Sequence, residues 1–258
     1  MSQTIAVPTR ASVSARRTAV RRSDADRRFY LIVAIAMVFL TVVGFRQFFL
    51  HGRTPGGSEV TAQILPLIVI HGLAMFAWVV LFVVQSALIQ TGRRKLHMVI
   101  GPLAMFLAGA IVILGSLVAG LSVHFNPAQY GHLGGAKPFL ATMWTQMLAF
   151  GAFVALGWFY RRRSDVHRPM MLLATLVMQS GSLARCPYIT NLSHRAPLYV
   201  WGPVLIFGAL LFFFQWALSR NINRAYLIGY AGIVVTALVS VFVGTSAGWA
   251  RLTATLIP

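Results

Sequence analysis

Seven long apolar runs separated by short basic segments constrain the fold of this chain more than any other feature. Each run is close to the roughly 20 residues that an α-helix needs to cross the hydrocarbon core of a bilayer. The pattern predicts an all-α integral membrane protein with seven transmembrane helices in one bundle. The runs cover approximately residues 29–50, 64–90, 97–122, 139–160, 169–190, 198–219 and 225–248.

The composition excludes an ordinary water-soluble globule. Charged residues make up only 10% of the chain and the mean hydropathy is +0.75, whereas average soluble domains carry roughly 25% charged residues. The net charge of +18 comes from 22 Lys and Arg against four acidic residues. In a soluble domain this excess would indicate nucleic acid, but here most basic residues lie between apolar runs. We therefore expect the lipid bilayer and its anionic headgroups as partners, and no nucleic acid.

The same basic residues predict an orientation. If every run crosses the bilayer, one side receives the N-terminal arm and the connections that contain Arg93–Lys95, Arg161–Arg163 with Arg168, and Arg220 with Arg224. The other side receives few basic residues, namely Arg53, Lys137, Arg195 and Arg251. Since cytoplasmic loops carry the excess of Lys and Arg, we expect the N-terminus in the cytoplasm and the C-terminus outside.

Residues 1–28 are expected to form a disordered basic cytoplasmic arm, followed by a seven-helix transmembrane domain over residues 29–258. The arm contains few large apolar residues, so it cannot bury enough surface to fold. A cleaved signal peptide is the alternative, but the run from Phe29 to Leu50 exceeds the about 7–15 apolar residues of such a peptide.

Prolines support the predicted helix starts, because proline is tolerated in the first helical turn. They are Pro66, Pro102, Pro138, Pro169, Pro197 and Pro203.

Four short motifs carry a resemblance to known proteins. They are His-Gly-x5-Trp-x6-Gln from His71, Gly-Arg-Arg-x2-His-x3-Gly from Gly92, Arg-Arg-Phe-Tyr at 27–30, and His-Arg-x2-Met from His167. From about residue 27 the chain resembles bacterial seven-span membrane proteins of the DUF2306-like group, which implies a multi-pass protein of the bacterial inner membrane but no established activity. At the level of the fold alone, it is similar to cytochrome b561 and heme A synthase bundles, which hold heme between histidines on facing helices.

His97 and His167 are the candidate cofactor ligands. Each stands at the cytoplasmic start of a predicted span, so both lie at a similar depth. They are candidate axial ligands of a b-type heme, or part of a headgroup or quinone site. The alternative is a pair of interfacial histidines that bond loop carbonyls or Asp165.

The stripe of α-helical residues His71, Trp78 and Gln85 is predicted to face the interior of the bundle, and Arg185 is a further polar position within the spans. His71, Trp78 and Gln85 are spaced seven apart and share one helix stripe; a polar stripe would be costly against lipid. Arg185 lies in the outer part of the fifth run and either extends to the outer surface or meets an anion, a dipole or a ligand carboxylate. For His71 the alternative is a buried histidine paired with Gln, Ser or a carbonyl.

Absent residue types exclude several classes of protein. The only lysines, Lys95 and Lys137, lie outside the runs, so a retinal Schiff base is excluded. No run contains Asp or Glu, which argues against a carboxylate proton relay. Histidines on the predicted outer side could bind copper or zinc, but they come from separate loops and we predict no metal site there. They are His51, His124, His132 and His194.

Two functional hypotheses from different classes remain. The first is a non-catalytic membrane protein, an accessory or lipid-interacting component whose polar stripes hold helices together. The second is a membrane redox protein with a b-type heme or quinone site inside the bundle. A solute transporter is less favoured, because the runs contain few Gly or Pro breaks near their centres. Each is compatible with a membrane-protein partner or a homo-oligomer.

Overall fold

The computed structural model describes residues 10–52, 62–185 and 196–255, and within these ranges it contains helices and turns but no β-strand. The prediction of an all-α protein is therefore confirmed. The helices are α1 (Arg10–Gly44), α2 (Arg46–His51), α3 (Leu65–Gln90), α4 (Arg94–Phe125), α5 (Ala136–Phe159), α6 (Ser164–Met178), α7 (Ser180–Ala184), α8 (Ala196–Ser219), α9 (Arg224–Thr245) and α10 (Ala247–Leu252). Two 3-10 segments, Pro127–Leu133 and Thr253–Thr255, follow α4 and α10.

Six helical segments of the described chain are long and apolar enough to cross a bilayer. They are Asp24–Gly44, Leu65–Gln90, Arg94–Phe125, Ala136–Phe159, Leu198–Ser219 and Arg224–Thr245. Their outer faces carry large apolar side chains such as Phe106, Ile228 and Phe242, which are 78, 73 and 76% exposed. Such a surface fits contact with lipid and not with water. The chain is therefore a multi-pass membrane protein.

The predicted fifth run, residues 169–190, differs from the other six. It forms two helices, α6 and α7, which meet at Gln179, while residues 186–190 lie outside the described ranges. The Gln146 side chain of α5 donates a 2.8 Å hydrogen bond to the Val177 carbonyl and contacts Ser180. A side chain inserted into the backbone ladder is a common cause of a helix break, so a residue of α5 accounts for the break in the neighbouring helix.

The break lies in the most buried part of the molecule. Every side chain from Leu172 to Ser180 is buried, because α6 packs against both α5 and α9. Irregular backbone at membrane depth is tolerated only where protein or a water-filled cavity surrounds it. The interior position of α6 and α7 therefore permits a break that a lipid-facing helix would not.

Two glycines allow close helix contacts in this region. A Cβ on Gly44 of α1 would lie 2.5–2.9 Å from backbone atoms of Ser182 in α7. A Cβ on Gly229 of α9 would overlap the side chains of Leu173 and Met170 in α6. Gly44 therefore excludes a larger residue, since backbone atoms do not move aside, whereas a larger residue at Gly229 would require the ends of the Leu173 and Met170 side chains to shift.

The basic turns gather at one end of the bundle. Gly92 has a φ of 77°, a left-handed conformation suited to glycine, and it closes the turn between α3 and α4. The Asn223 side chain at the start of α9 donates a 3.3 Å hydrogen bond to the carbonyl of Asp165, at the start of α6. The turn before α9 thus lies beside the turn before α6, as the charge pattern predicts.

Some boundaries differ from the predicted ones. Helix α1 begins at Arg10, so its backbone includes residues 10–28 of the expected arm, while residues 1–9 lie outside the described ranges. Pro66 lies in the first turn of α3, but Pro102, Pro169 and Pro203 lie inside helices. The expectation that these three mark helix starts is wrong, since α4 and α6 already begin within the basic turns.

Candidate functional site

A cavity of about 670 Å³ lies at the end of the bundle that carries the basic turns. We call it the basic cavity. Residues of α1, α3, α4, α5 and α6 and of the turn before α6 line it, and Trp78, Phe82 and Met105 contribute apolar surface. Its volume lies within the range of about 300–1,000 Å³ that is typical of small-molecule and cofactor sites.

The basic cavity contains both candidate ligands, His97 and His167. His97 is the fourth residue of α4 and His167 is the fourth residue of α6, so the two helices present them at matching positions. The ring centroids are 6.2 Å apart and the ring planes are nearly perpendicular, at 86°. The structure therefore brings together two histidines that are 70 residues apart in sequence.

His167 is oriented by a backbone carbonyl. Its Nδ1 atom lies 2.8 Å from the oxygen of Gly157 in α5. Because a carbonyl only accepts hydrogen bonds, Nδ1 carries the hydrogen and Nε2 keeps an unprotonated lone pair. Metal-ligating histidines usually have their second nitrogen held in this way. The alternative partner, Asp165, instead forms a 3.1 Å ion pair with Arg163.

Polar atoms on the opposite wall lack partners. The His97 ring approaches the backbone carbonyl of Gln85, but within the described ranges its buried Nδ1 atom makes no hydrogen bond of ordinary geometry. Both side-chain amide atoms of Gln85 are likewise buried, and no described residue pairs with them. Burying an unpaired polar group is costly, so this wall carries polar atoms that either water or a ligand would satisfy.

Five arginines make the basic cavity strongly positive. They are Arg27, Arg94, Arg161, Arg162 and Arg168. Arg27 pairs with Asp24, and Asp26 lies close enough to Arg168 to interact with it electrostatically. The Arg161 guanidinium stacks over the Trp158 ring at 4.7 Å. The positive charges exceed the nearby carboxylates, so the arrangement suits an amphipathic ligand with an anionic end.

The polar stripe of α3 faces protein, as its spacing predicts. Trp78 is 2% exposed; its indole N–H donates a 3.2 Å hydrogen bond to Thr175 of α6. Gln85 lines the basic cavity. His71 is about 21 Å from Gln85 along the helix axis, at 1.5 Å per residue, and so belongs to the other half of the bundle.

Arg185 is separate from the basic cavity. It follows α7, donates a 2.8 Å hydrogen bond to the carbonyl of Gly181 and stacks over the Phe45 ring at 4.7 Å. The side chain therefore folds back over its own helix and meets a backbone dipole, one of the two alternatives that the sequence leaves open.

The outer histidines do not form a metal centre within the described chain. His51 and His124 are exposed, and no group of three or more His, Cys, Asp or Glu residues gathers among the residues with described positions. The side chains of His132 and His194 lie outside the described part.

Several residues of the site escape sequence reasoning. Arg93 and Arg163 flank the predicted histidines in sequence, but the cavity is lined instead by other arginines, including Arg27 and Arg168. The Gly157 carbonyl has no signal of its own in the sequence. Arg27 begins the Arg-Arg-Phe-Tyr motif and could have been found there.

Comparison with protein-family models, with known proteins and with solved structures gives no match.

Proposed function

We propose that this protein is a membrane redox protein that binds one b-type heme in the basic cavity, with His97 and His167 as axial ligands. The observation that carries the proposal is the pair of imidazoles, one from α4 and one from α6, whose centroids are 6.2 Å apart within one cavity. Iron coordinated by one nitrogen of each ring, at about 2 Å per bond, would require imidazoles about this far apart, so His97 and His167 would be able to hold it.

The hydrogen bond of His167 supports the same ligand. The Gly157 carbonyl fixes the tautomer of His167 and leaves Nε2 as the donor atom for a metal. The His97 ring lies near the backbone of Gln85 on α3, but its Nδ1 atom makes no hydrogen bond of ordinary geometry within the described ranges. Backbone carbonyls that hold the second nitrogen of a ligand raise its basicity and fix its direction.

The charge of the basic cavity fits the two carboxylates of a heme. Arginine pairs with carboxylates through charge-assisted, often bidentate hydrogen bonds. Arg94 and Arg161 come from the turns beside the two histidine-bearing helices, and both line the cavity. The apolar side chains Phe82 and Met105 would contact the ring system of the heme. Bound in this way, a b-type heme supplies one-electron transfer.

The first test is an optical one. Protein purified from heme-replete cells is expected to show a Soret band and, after dithionite reduction, an α band at about one heme per chain. His97→Ala and His167→Ala should each lose this spectrum, while His51→Ala, at an exposed position away from the cavity, should retain it. A parent protein without a heme spectrum would contradict the proposal.

We also propose seven crossings, with the N-terminus in the cytoplasm of a bacterial cell. Helices α6 and α7 together extend about 30 Å at 1.5 Å per residue, which is the thickness of a hydrocarbon core. The proposal predicts that, in a Cys186→Ser background, Lys95→Cys is labelled only from the cytoplasm and Lys137→Cys only from outside. The opposite labelling pattern would reverse the orientation.

A second candidate is a non-catalytic accessory or lipid-interacting protein. It is favoured by hydrogen bonds between helices that need no ligand, such as Trp78 to Thr175 and Gln179 to Thr41. Interhelical hydrogen bonds of this kind stabilise membrane bundles. This candidate predicts a stable protein that shows no heme spectrum, so the same optical measurement separates the two functions.

A further inference from the structure

His71 and Met147 meet in the half of the bundle away from the basic cavity. His71 is on α3, Met147 is on α5, and both lie against Gly115 of α4. The His71 Cε1 atom is 2.9 Å from the point that a Cβ on Gly115 would occupy, and the Met147 sulfur is closer still. Cε1 is bonded to both ring nitrogens, so the imidazole and the thioether line the same small space beside Gly115.

One nitrogen of the His71 imidazole lacks a partner among the described residues. Its buried Nδ1 atom makes no hydrogen bond to any residue in the described ranges, although the sequence allowed pairing with a Gln, a Ser or a carbonyl. A polar atom buried without a partner is costly at membrane depth, where water does not replace the missing bond. A bound ion would therefore supply the partner that the His71 Nδ1 atom lacks.

Two more thioethers lie one helical turn from this pair. Met75 follows His71 by four residues on α3, and Met143 precedes Met147 by four on α5, so each shares a helix face with its neighbour. Both pack against the buried core and not into lipid. The surroundings thus offer imidazole and thioether donors, and the three helices α3, α4 and α5 contain no Asp or Glu.

We propose that His71 and Met147 form a binding site for a soft monovalent metal ion, Cu(I). Thioether and imidazole ligands select Cu(I) over hard cations such as Mg²⁺ and Ca²⁺. Zn²⁺ in a structural site takes four ligands that usually include thiolates or several imidazoles, and this site has one imidazole. Neutral donors also suit an ion of single charge in a region of low dielectric constant.

The test measures Cu(I) affinity of the purified protein under anaerobic, reducing conditions, by competition with a chromophoric Cu(I) chelator. Met147→Leu removes the sulfur at nearly constant volume and is expected to weaken binding at least about tenfold. His71→Leu should do the same. Met37→Leu, a buried methionine of α1, is the matched control and should bind as the parent does.

Two other variants separate this site from its competitors. His51→Ala with His124→Ala tests the outer histidines, and His97→Ala with His167→Ala tests the basic cavity. Both double variants are expected to retain Cu(I) affinity within about twofold. Loss of binding in either of them, or equal affinity in the parent and in Met147→Leu, would overturn the proposal whether or not the protein binds heme.

Discussion

The basic cavity and the break between α6 and α7 are both polar regions inside an apolar bundle, and they are built in opposite ways. At the break, Gln146 pairs with the Val177 carbonyl, and Gln179 pairs with Thr41. In the basic cavity, no described residue pairs with either amide atom of Gln85. Because unpaired buried groups are costly and paired ones are not, the polar groups at the break need no ligand, whereas those of the basic cavity leave room for the ligand that we propose.

The distinction extends to the packing around each region. Side chains at the break are buried among α1, α5 and α7, with a glycine at the closest approach. The basic cavity keeps an open volume of about 670 Å³ between five helices. In a closely packed polar region, a substitution that changes the volume of a side chain shifts the backbone. In a cavity, the open space accommodates the change.

The largest effect is expected at the closest contact near the break. Gly44→Ala places a methyl group 2.5–2.9 Å from backbone atoms of Ser182, and α1 and α7 must separate to admit it. We expect a loss of about 3 kcal/mol or more in unfolding free energy, measured by denaturant or thermal unfolding in detergent. Gly72→Ala on α3, where no atom of the described chain lies within 4 Å of the new Cβ, is the control. Equal stability of the two variants would contradict the packing account.

The next largest effect is expected in a comparison of unfolding free energies after replacement of one glutamine from each region. Gln146→Leu leaves the buried Val177 carbonyl without its side-chain donor, at an expected cost of about 2 kcal/mol. Gln85→Leu removes amide atoms that have no partner within the described chain, so its unfolding free energy should stay within about 0.5 kcal/mol of the parent or rise. Both are measured on heme-free protein in the same detergent. A larger loss for Gln85→Leu would reverse the assignment of the two regions.

The smallest effect concerns the charges at the basic cavity. Arg94→Gln and Arg161→Gln should each weaken heme binding about two- to fivefold, because both side chains are exposed and water screens their interactions. Arg163→Gln is the matched control, since Arg163 pairs with Asp165 and does not line the cavity. Titration of the heme-free protein with heme gives all three affinities. An equal loss for Arg163→Gln would point to general charge attraction.

Sequence patterns predict the parts of this fold that depend on one helix at a time. Six of the seven expected crossings follow from run length and hydropathy, and the seventh stays a prediction. The common depth of His97 and His167 follows from their position just after a basic turn, and the two rings do lie 6.2 Å apart. Each of these features is set by spacing along a single segment.

Features that depend on two helices were not predictable in this way. The sequence of residues 169–190 does not indicate the break between α6 and α7. The side chain that bonds to the backbone at this break is Gln146, which belongs to α5. Arg27 and Arg168 reach the basic cavity only because α1 and α6 are rotated toward it. Helix rotation is decided by packing between helices, and one sequence alone does not specify it.

The central claim is that His97 and His167 hold a heme between them, and rescue by imidazole tests it most directly. His97→Gly and His167→Gly remove one ligand each, and glycine in a first helical turn costs only about 1 kcal/mol, so the bundle should persist. The account predicts that each variant loses the bis-imidazole spectrum of the parent and that added imidazole restores it. A parent spectrum that survives in both variants, or a loss that imidazole does not reverse in either folded variant, would contradict it.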